Sequence, residues 1–226
     1  MEEKRSQWNN RQTVLRELLS KPARFKEAID LCLLQHSLVH EARMSGTDDR
    51  TFEDDIWEDL DDNMFRTAAN SKGRTIAYGI WHSTRIQDIT MNILVADKEQ
   101  IINKDCWLDR INSTITDTGN AMTAEQILDF SRGINMRELR EYRMAVGRNT
   151  RELIMSFMPE DLKRKVKKEG LQRVIAEKAV LDVKGANWLI DFWGRKNVAG
   201  ILLMPVTRHL MVHINESLSA KKRGIK

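Results

Sequence analysis

The sequence predicts an all-α chain, a four-helix bundle whose long crossover links carry extra short helices. Only three prolines and eleven glycines interrupt its 226 residues, so helices can run far without a break. Four long segments repeat apolar residues with the 3.6-residue period of a helix, whereas alternating β patterns are scarce. Hydrophobic residues make up 41 % of the chain and charged residues 31 %, which permits a full core beneath a solvated surface. Four amphipathic helices favour a bundle.

The first two predicted helices come from the first half of the chain. Pro22 is suited to the start of a helix, where its missing N–H is not needed, and Gly46 would end that helix. Its apolar positions Phe25, Ile29 and Leu33 are continued by His36 and His40. The second helix is predicted over residues 75–96. One face of it carries Tyr78, Gly79, His82, Ile86, Ile89 and Ile93.

The third predicted helix begins after Asn135, because Glu138 three residues later completes the pattern of a capping box. Pro159 would end it. Its inward face carries Leu139, Tyr142, Val146, Leu153 and Phe157. A shorter helix is predicted ahead of it, opened by Thr123 and continuing through residues 127–130.

The last predicted helix covers residues 202–218. Pro205 either starts this helix or kinks a longer one that began near Asn187. The inward face carries Leu202, Val206, His209, Leu210 and His213. The links 44–72 and 97–134 are long, so consecutive helices are free to run parallel as well as antiparallel.

The whole chain, residues 1–226, is predicted to form one domain, with residues 1–21 as an N-terminal extension and 219–226 as a basic tail. Cys32 and Cys106 have no CxxC spacing, which indicates unpaired thiols in a reducing compartment. No apolar run approaches the roughly 18 residues of a membrane span. The polar N-terminus lacks the apolar segment of a secretory signal. These features predict a cytoplasmic protein without a membrane partner.

The net charge of +4 is unevenly distributed along the chain. Residues 48–62 are acidic, whereas residues 163–168 and the tail from Lys221 are basic. Short charged runs are typical of solvated helix faces. Because no aromatic residues interleave with the basic ones, the sequence disfavours nucleic-acid binding.

The histidines carry most of the chemical information in the sequence. All five fall on predicted inward faces: His36, His40, His82, His209 and His213. His209 and His213 are four residues apart, which places both imidazoles on one helix face within reach of a common ion. A third histidine from another helix would leave coordination positions open, as in catalytic sites. His36 and His40 have the same spacing, so either pair is a candidate ligand pair, and hydrogen-bonded core histidines are the common alternative.

Three segments resemble the DinB-like family. The segment 75–90 (TIAYGIWHSTRIQDIT) is similar to that family's second core helix, with its Trp-His-x-x-Arg-x-x-Asp pattern. The segment 205–216 (PVTRHLMVHINE) is similar to its last helix, with His-x-x-x-His. Residues 141–150, followed by Met-Pro-Glu-Asp-Leu, resemble its third helix and the turn after it. The resemblance covers nearly the whole chain from residue 22. Two departures are Asn215, where many members carry Gly, and links that are long for the family.

This resemblance implies a bundle that holds one divalent metal ion with one histidine from the second helix and two from the last. Carried over position by position, the ligands are His82, His209 and His213. The sequence does not distinguish Ni, Zn, Mn and Fe, since imidazole suits several of these metals. The resemblance implies an enzyme that activates a thiol or water, a thiol S-transferase or a hydrolase. The alternative is a non-catalytic metal-binding or stress-linked dimeric scaffold protein.

Further residues are candidates for supporting the site. Glu216, one turn beyond His213, is expected to accept a hydrogen bond from that ligand. Arg85, one turn from His82, is a candidate anchor for a small-molecule thiol or an anionic substrate, or else one half of a salt bridge. Asp88 is expected to form an ion pair. His36 and His40 are candidates for core residues, a general base or a fourth ligand.

A homodimer is predicted from abundant methionine and tryptophan. Five tryptophans are expected to be core or interface anchors: Trp57, Trp81, Trp107, Trp188 and Trp193.

Overall fold

The structure is a computed structural model that describes residues 2–68 and 73–224. Helix accounts for about 72 % of the chain. Within the described ranges there is no β-strand, only one isolated antiparallel bridge between Lys165 and Asn197. The predicted all-α class is therefore confirmed.

The described residues contain thirteen α-helices of very different lengths. In chain order they are α1 (Glu2–Leu19), α2 (Phe25–Leu38), α3 (Ala42–Ser45), α4 (Asp54–Trp57), α5 (Asp62–Arg66), α6 (Ile76–Asp88), α7 (Trp107–Ile111), α8 (Ala124–Gly133), α9 (Met136–Met155), α10 (Lys168–Ala176), α11 (Lys184–Gly194), α12 (Val198–Leu203) and α13 (His209–Gly224). Two π-helical segments extend these: Ile89–Val95 continues α6, and Met204–Arg208 joins α12 to α13. Short 3₁₀ turns cover Pro22–Arg24, Ile101–Asn103 and Pro159–Lys163.

The first predicted helix is divided in the structure. It ends at Leu38, and α3 begins only after Glu41, whose backbone is extended (ψ 146°). The buried guanidinium of Arg143 donates to the carbonyl of Val39 at 3.0 Å, so a polar side chain satisfies a backbone group at the break. His40 lies in this turn and not on the helix. Gly46 ends α3 in a left-handed conformation (φ +69°), as predicted.

The predicted helix starts agree well with the structure. The hydroxyl of Thr75 accepts from Tyr78 N, and α6 with its π segment ends at Val95, close to the predicted 75–96. Thr123 and Gln126 form both halves of a capping box ahead of α8. Asn135 caps α9 by accepting from Glu138 N. The reciprocal half predicted there is absent, because the Glu138 carboxylate binds Arg110 instead.

Both ends of the chain differ from the prediction. Residues 1–21, predicted as an extension, contain the 18-residue α1, which packs against α2 and α12. The last helix begins at Val198, earlier than predicted, and Pro205 lies inside it within the π segment. Pro205 therefore interrupts a longer helix, although that helix does not reach back to Asn187. The basic residues from 219 to 224 belong to α13.

The core consists of two apolar clusters with a polar level between them. The first cluster includes Leu15, Ile89 and Leu202, and the second includes Trp8 and Trp81. One part of each of α1, α2, α6 and α9 contributes to the first cluster and another part to the second, and the same holds for α12 taken together with α13. Buried polar residues lie between the two parts. These residues are Gln12, Gln35, His36, Gln87, Thr150 and Thr207.

The direction of each helix follows from its place in these clusters. Helices α6 and α9 both begin in the second cluster and end in the first, so they run parallel. Helix α2 and the α12–α13 helix run in the opposite direction. The long link 97–134 returns the chain from the end of α6 to the start of α9, as a crossover connection does. Helix α6 packs against both α9 and α13. The buried polar residues of α6 therefore lie beside the last helix.

Candidate metal centre

Helices α6 and α13 bring three of the predicted histidines together. His82 lies in the middle of α6, and His209 and His213 lie on the first turns of α13. One ring nitrogen from each side chain lies within 4.8 Å of the other two. The Nε2 atoms of His209 and His213 are 3.1 Å apart. The predicted set of three ligands is therefore assembled and can hold a metal ion.

The orientation of His82 is fixed by the link that crosses over it. Its Nδ1 lies 2.7 Å from the carbonyl oxygen of Thr118. Because a carbonyl only accepts, Nδ1 carries the proton and Nε2 keeps its lone pair. The ring stacks on Tyr78 with 5.4 Å between the ring centroids. Burial lowers the pKa of His82 to about 3, so the imidazole is neutral at pH 7, as a metal ligand must be.

His213 lies beside Glu216, the acceptor predicted for it. Its Nδ1 lies 3.0 Å from Glu216 Oε2, and Arg74 Nη1 donates to the same carboxylate at 3.0 and 3.3 Å. The neighbouring His213 imidazole lowers the pKa of Glu216. A carboxylate behind a histidine fixes its tautomer and makes the opposite nitrogen a better donor to a metal.

His209 lacks such a partner. Among the described residues, none hydrogen-bonds its Nδ1. Burial, reinforced by the neighbouring His213 and His82, lowers the pKa of His209 well below its usual value. His209 is therefore neutral, as His82 is, and its only ring contact of this kind among the described residues is the one between its Nε2 and His213 Nε2.

The geometry suits a divalent transition metal. Metal–nitrogen bonds of about 2.0–2.1 Å at tetrahedral angles separate the nitrogens by roughly 3.4 Å. That distance lies between the 3.1 Å and 4.8 Å separations found here, so small rotations of the rings are sufficient. Three imidazole ligands leave at least one coordination position for another ligand.

The histidines lie at the wall of a cavity of about 290 Å³. Polar groups of the lining come from Arg74, Asn120 and Glu216, and a largely apolar wall comes from α11 and the π segment. The lining residues around the histidines include Tyr78, Ile86, Trp188, Phe192, Trp193 and Val212. The candidate ligands are therefore accessible to a small molecule.

Arg85 does not reach this cavity, contrary to its predicted role as a substrate anchor. Its side chain is fully buried, and it binds Asp88 at 2.8 Å, the hydroxyl of Tyr142 at 2.9 Å and the carbonyl of Thr116. The predicted ion pair of Asp88 is thus confirmed, with Arg85 as its partner. A buried guanidinium needs several acceptors, and this network supplies them.

His36 and His40 form a separate buried cluster. Gln87 Nε2 lies 2.8 Å from His36 Nε2, and His40 Nε2 lies 3.1 Å from Gln87 Oε1. Gln87 Nε2 also donates to Thr150 at 2.9 Å. Burial lowers the pKa of His36 to about 3. These contacts are those of core residues, the first of the predicted alternatives, and neither ring lines the cavity.

Sequence reasoning missed four features of the site: Arg74, Thr118, Asn120 and the aromatic face of α11. Arg74 directly precedes the helix cap at Thr75, a position that carries no chemical signal. Trp188 and Phe192 are four residues apart, so their shared face was detectable. Trp81, Trp107 and Trp193 are buried as predicted, and Trp57 is partly buried, whereas Trp188 is 53 % exposed at the cavity.

Comparison with known proteins gives no family: no protein-family model matches the chain, and no curated protein matches its sequence. None of the helices in residues 2–68 and 73–224 is long and apolar enough to cross a membrane.

Proposed function

We propose that this chain is a DinB-like protein that binds one divalent metal ion through His82, His209 and His213 and is a metal-dependent enzyme acting through a thiol or water. The observation that carries the proposal is the convergence of three imidazoles beside an accessible cavity. In the proposed arrangement α2, α6, α9 and α13 form the four-helix bundle. The opposite directions of α6 and α13 support this arrangement.

The chain's own residues would prepare the site in three ways. Thr118 fixes the tautomer of His82, Glu216 lies beside Nδ1 of His213, and one nitrogen of each of the three rings lies close to the other two. Burial lowers the pKa of His82 and of His209 and so keeps these two imidazoles unprotonated. The apolar wall limits water around the reacting groups. A bound divalent ion supplies a Lewis acid that lowers the pKa of a coordinated thiol or water.

The metal site is tested by elemental analysis of the purified protein and by affinity measurements against a chelator. His209→Ala and His213→Ala should each lower metal affinity by orders of magnitude while the helix content stays unchanged, because the fold depends chiefly on apolar burial. His36→Gln is the matched control, since it alters a buried histidine outside the site. Full metal content in both alanine variants would overturn the assignment.

The cavity favours an enzyme over the scaffold alternative, because a purely structural ion needs no access to small molecules. Low-molecular-weight thiols tested with alkylating electrophiles, alongside a panel of esters and amides, should reveal a metal-dependent reaction. Chelation should abolish it. Activity that persists after chelation, or no reaction in either panel with metal bound, would contradict the proposed enzyme.

We also propose a cytoplasmic homodimer. Cys32 and Cys106 are free, and Cys106 is exposed, which suits a reducing compartment. Exposed apolar side chains, among them Met155 and Met158, offer surface for self-association. Sedimentation at tens of micromolar should give twice the chain mass of 26.3 kDa. A species of 26.3 kDa would exclude the dimer at that concentration.

A further inference from the structure

The wall of the cavity that faces away from the bundle is aromatic. Trp188 and Phe192 lie on adjacent turns of α11 with 6.3 Å between their ring centroids, in an edge-to-face arrangement. Trp193 lines the same wall and is buried. Trp188 remains 53 % exposed although it is the largest type of apolar side chain. Burial of such a ring would be favourable, because apolar surface would be removed from water. An uncovered ring at a cavity therefore indicates a surface that binds another apolar group.

The remaining apolar lining comes from the other helices around the cavity. Ile86 lies on α6, Pro205 in the π segment, and Val212, which is 41 % exposed, on α13. Apolar groups thus line the cavity on the side of the histidines as well as on the side of α11. A volume of about 290 Å³ lies at the small end of small-molecule sites. It suits a compact ring better than a long flexible chain.

The polar groups of the cavity indicate what charge its ligand carries. Arg74 and Glu216 form an ion pair and cancel one another. The divalent ion of the proposed function would leave the lining with a net positive charge, which favours an anion. Asn120 adds a polar contact, because its Oδ1 has no hydrogen-bond partner among the described residues. Rotation of that side-chain amide presents either a donor or an acceptor to a ligand.

We infer that the cavity binds a small aromatic monoanion of the aryl carboxylate class, with its ring against Trp188 and Phe192 and its carboxylate toward the histidines. The ring would gain edge-to-face or offset-stacked contacts with the α11 aromatics. The carboxylate would meet the positive charge and the amide of Asn120. This inference rests on the proposed function for the charge of the cavity, whereas the aromatic surface belongs to the chain itself.

The test uses three probes on the full-length, metal-loaded protein, with binding followed by ligand-detected NMR titration. Benzoate has both the ring and the charge, cyclohexanecarboxylate has the charge without the aromatic face, and benzamide has the ring without the charge. Benzoate should bind at least fivefold more tightly than either of the others. Trp188→Ala should weaken benzoate binding about fivefold to tenfold, since it removes the stacking surface. Trp188→Phe should restore most of the affinity.

Leu34→Ala is the matched control, because Leu34 is 42 % exposed on α2 and does not line the cavity. It should leave benzoate binding unchanged. Equal affinity for benzoate and cyclohexanecarboxylate, or an unchanged affinity in Trp188→Ala, would overturn the inference. Metal content is measured on the same samples. Bound metal without benzoate binding would refute the inference alone. Benzoate binding through Trp188 without metal would refute the metal site and retain the aromatic surface.

Discussion

At the scale of single residues, Glu216 has the clearest measurable effect on the metal centre. Its carboxylate lies 3.0 Å from His213 Nδ1, within reach of that ring nitrogen. Glu216→Gln removes the charge but keeps the shape, and it should lower metal affinity about 10-fold to 100-fold. Competition with a chelator measures this loss. Glu141→Gln, a charge change at the surface near Arg43, is the control and should have no effect. Unchanged affinity in Glu216→Gln would show that the carboxylate does not support the ligand.

Arg85 does not contact the metal centre but binds the link that crosses over His82. Its guanidinium donates twice to the carbonyl of Thr116, at 3.0 and 2.7 Å, two residues before the carbonyl that fixes His82. Arg85→Lys keeps the charge but not the forked contact, so the link should move and metal affinity should fall about tenfold.

The control for this prediction is Arg151→Lys. It also removes a guanidinium contact to a carbonyl, that of Leu33, but it lies away from the link over His82. Chelator competition on both variants, with urea unfolding alongside, separates loosened ligands from general destabilisation. Equal metal affinity in the two lysine variants would mean that Arg85 only stabilises the fold.

At the scale of helices, α1 is joined to the last helix through Gln12. This buried amide donates to the carbonyl of Leu203 at 3.0 Å and to the hydroxyl of Thr207 at 2.7 Å, and it accepts from Gln35. Gln12→Leu leaves buried polar groups without partners and should lower the free energy of unfolding by about 1–3 kcal/mol. Urea denaturation measures it. Gln7→Leu, on the exposed side of α1, should change stability by less than about 0.5 kcal/mol. If both variants unfold alike, α1 is not part of the cooperative core.

The helices that could be predicted from the sequence are those whose start has a local chemical signal. Thr75, Thr123 and Asn135 each accept from a backbone N–H two or three residues into a helix, and this pattern is visible in the sequence. Helix α1 was missed because its inward face contains polar Gln12. The break after Leu38 depends on Arg143, about a hundred residues away. No local pattern carries that information.

The same distinction holds for the candidate site. The spacing of His209 and His213 could be detected because both ligands lie on one helix. The pairing with His82, by contrast, came from a resemblance and not from spacing. For Arg85 the sequence left two roles open, a substrate anchor and a salt bridge, because its position one turn from His82 does not reveal the link that covers it. Which face of α6 that link covers is decided by tertiary packing.

At the scale of the whole molecule, the polar level between the two apolar clusters makes stability depend on pH. Gln87 Nε2 donates to His36 Nε2, so that nitrogen must stay unprotonated for the hydrogen bond to form. Burial lowers the pKa of His36 from its usual 6.5 to about 3, and burial also lowers the pKa of His40. The unfolded chain therefore binds more protons than the folded chain once the pH falls below about 6.5. The stabilising contribution is complete above that pH and is lost as the pH falls toward 3.

For His36 alone, this linkage should remove about 2 kcal/mol of stability between pH 7 and pH 5, because each pKa unit corresponds to about 1.4 kcal/mol. Urea unfolding at the two pH values, with a chelator present to exclude metal, measures the loss. His36→Gln keeps a polar side chain that can accept from Gln87 but does not titrate, so its loss over the same interval should be smaller by about that amount. Surface histidines would show no such dependence, since their pKa values are alike in both states. If the wild-type protein is equally stable at pH 7 and pH 5, protonation within the polar level of the folded protein has no free-energy cost. Burial then does not hold His36 neutral.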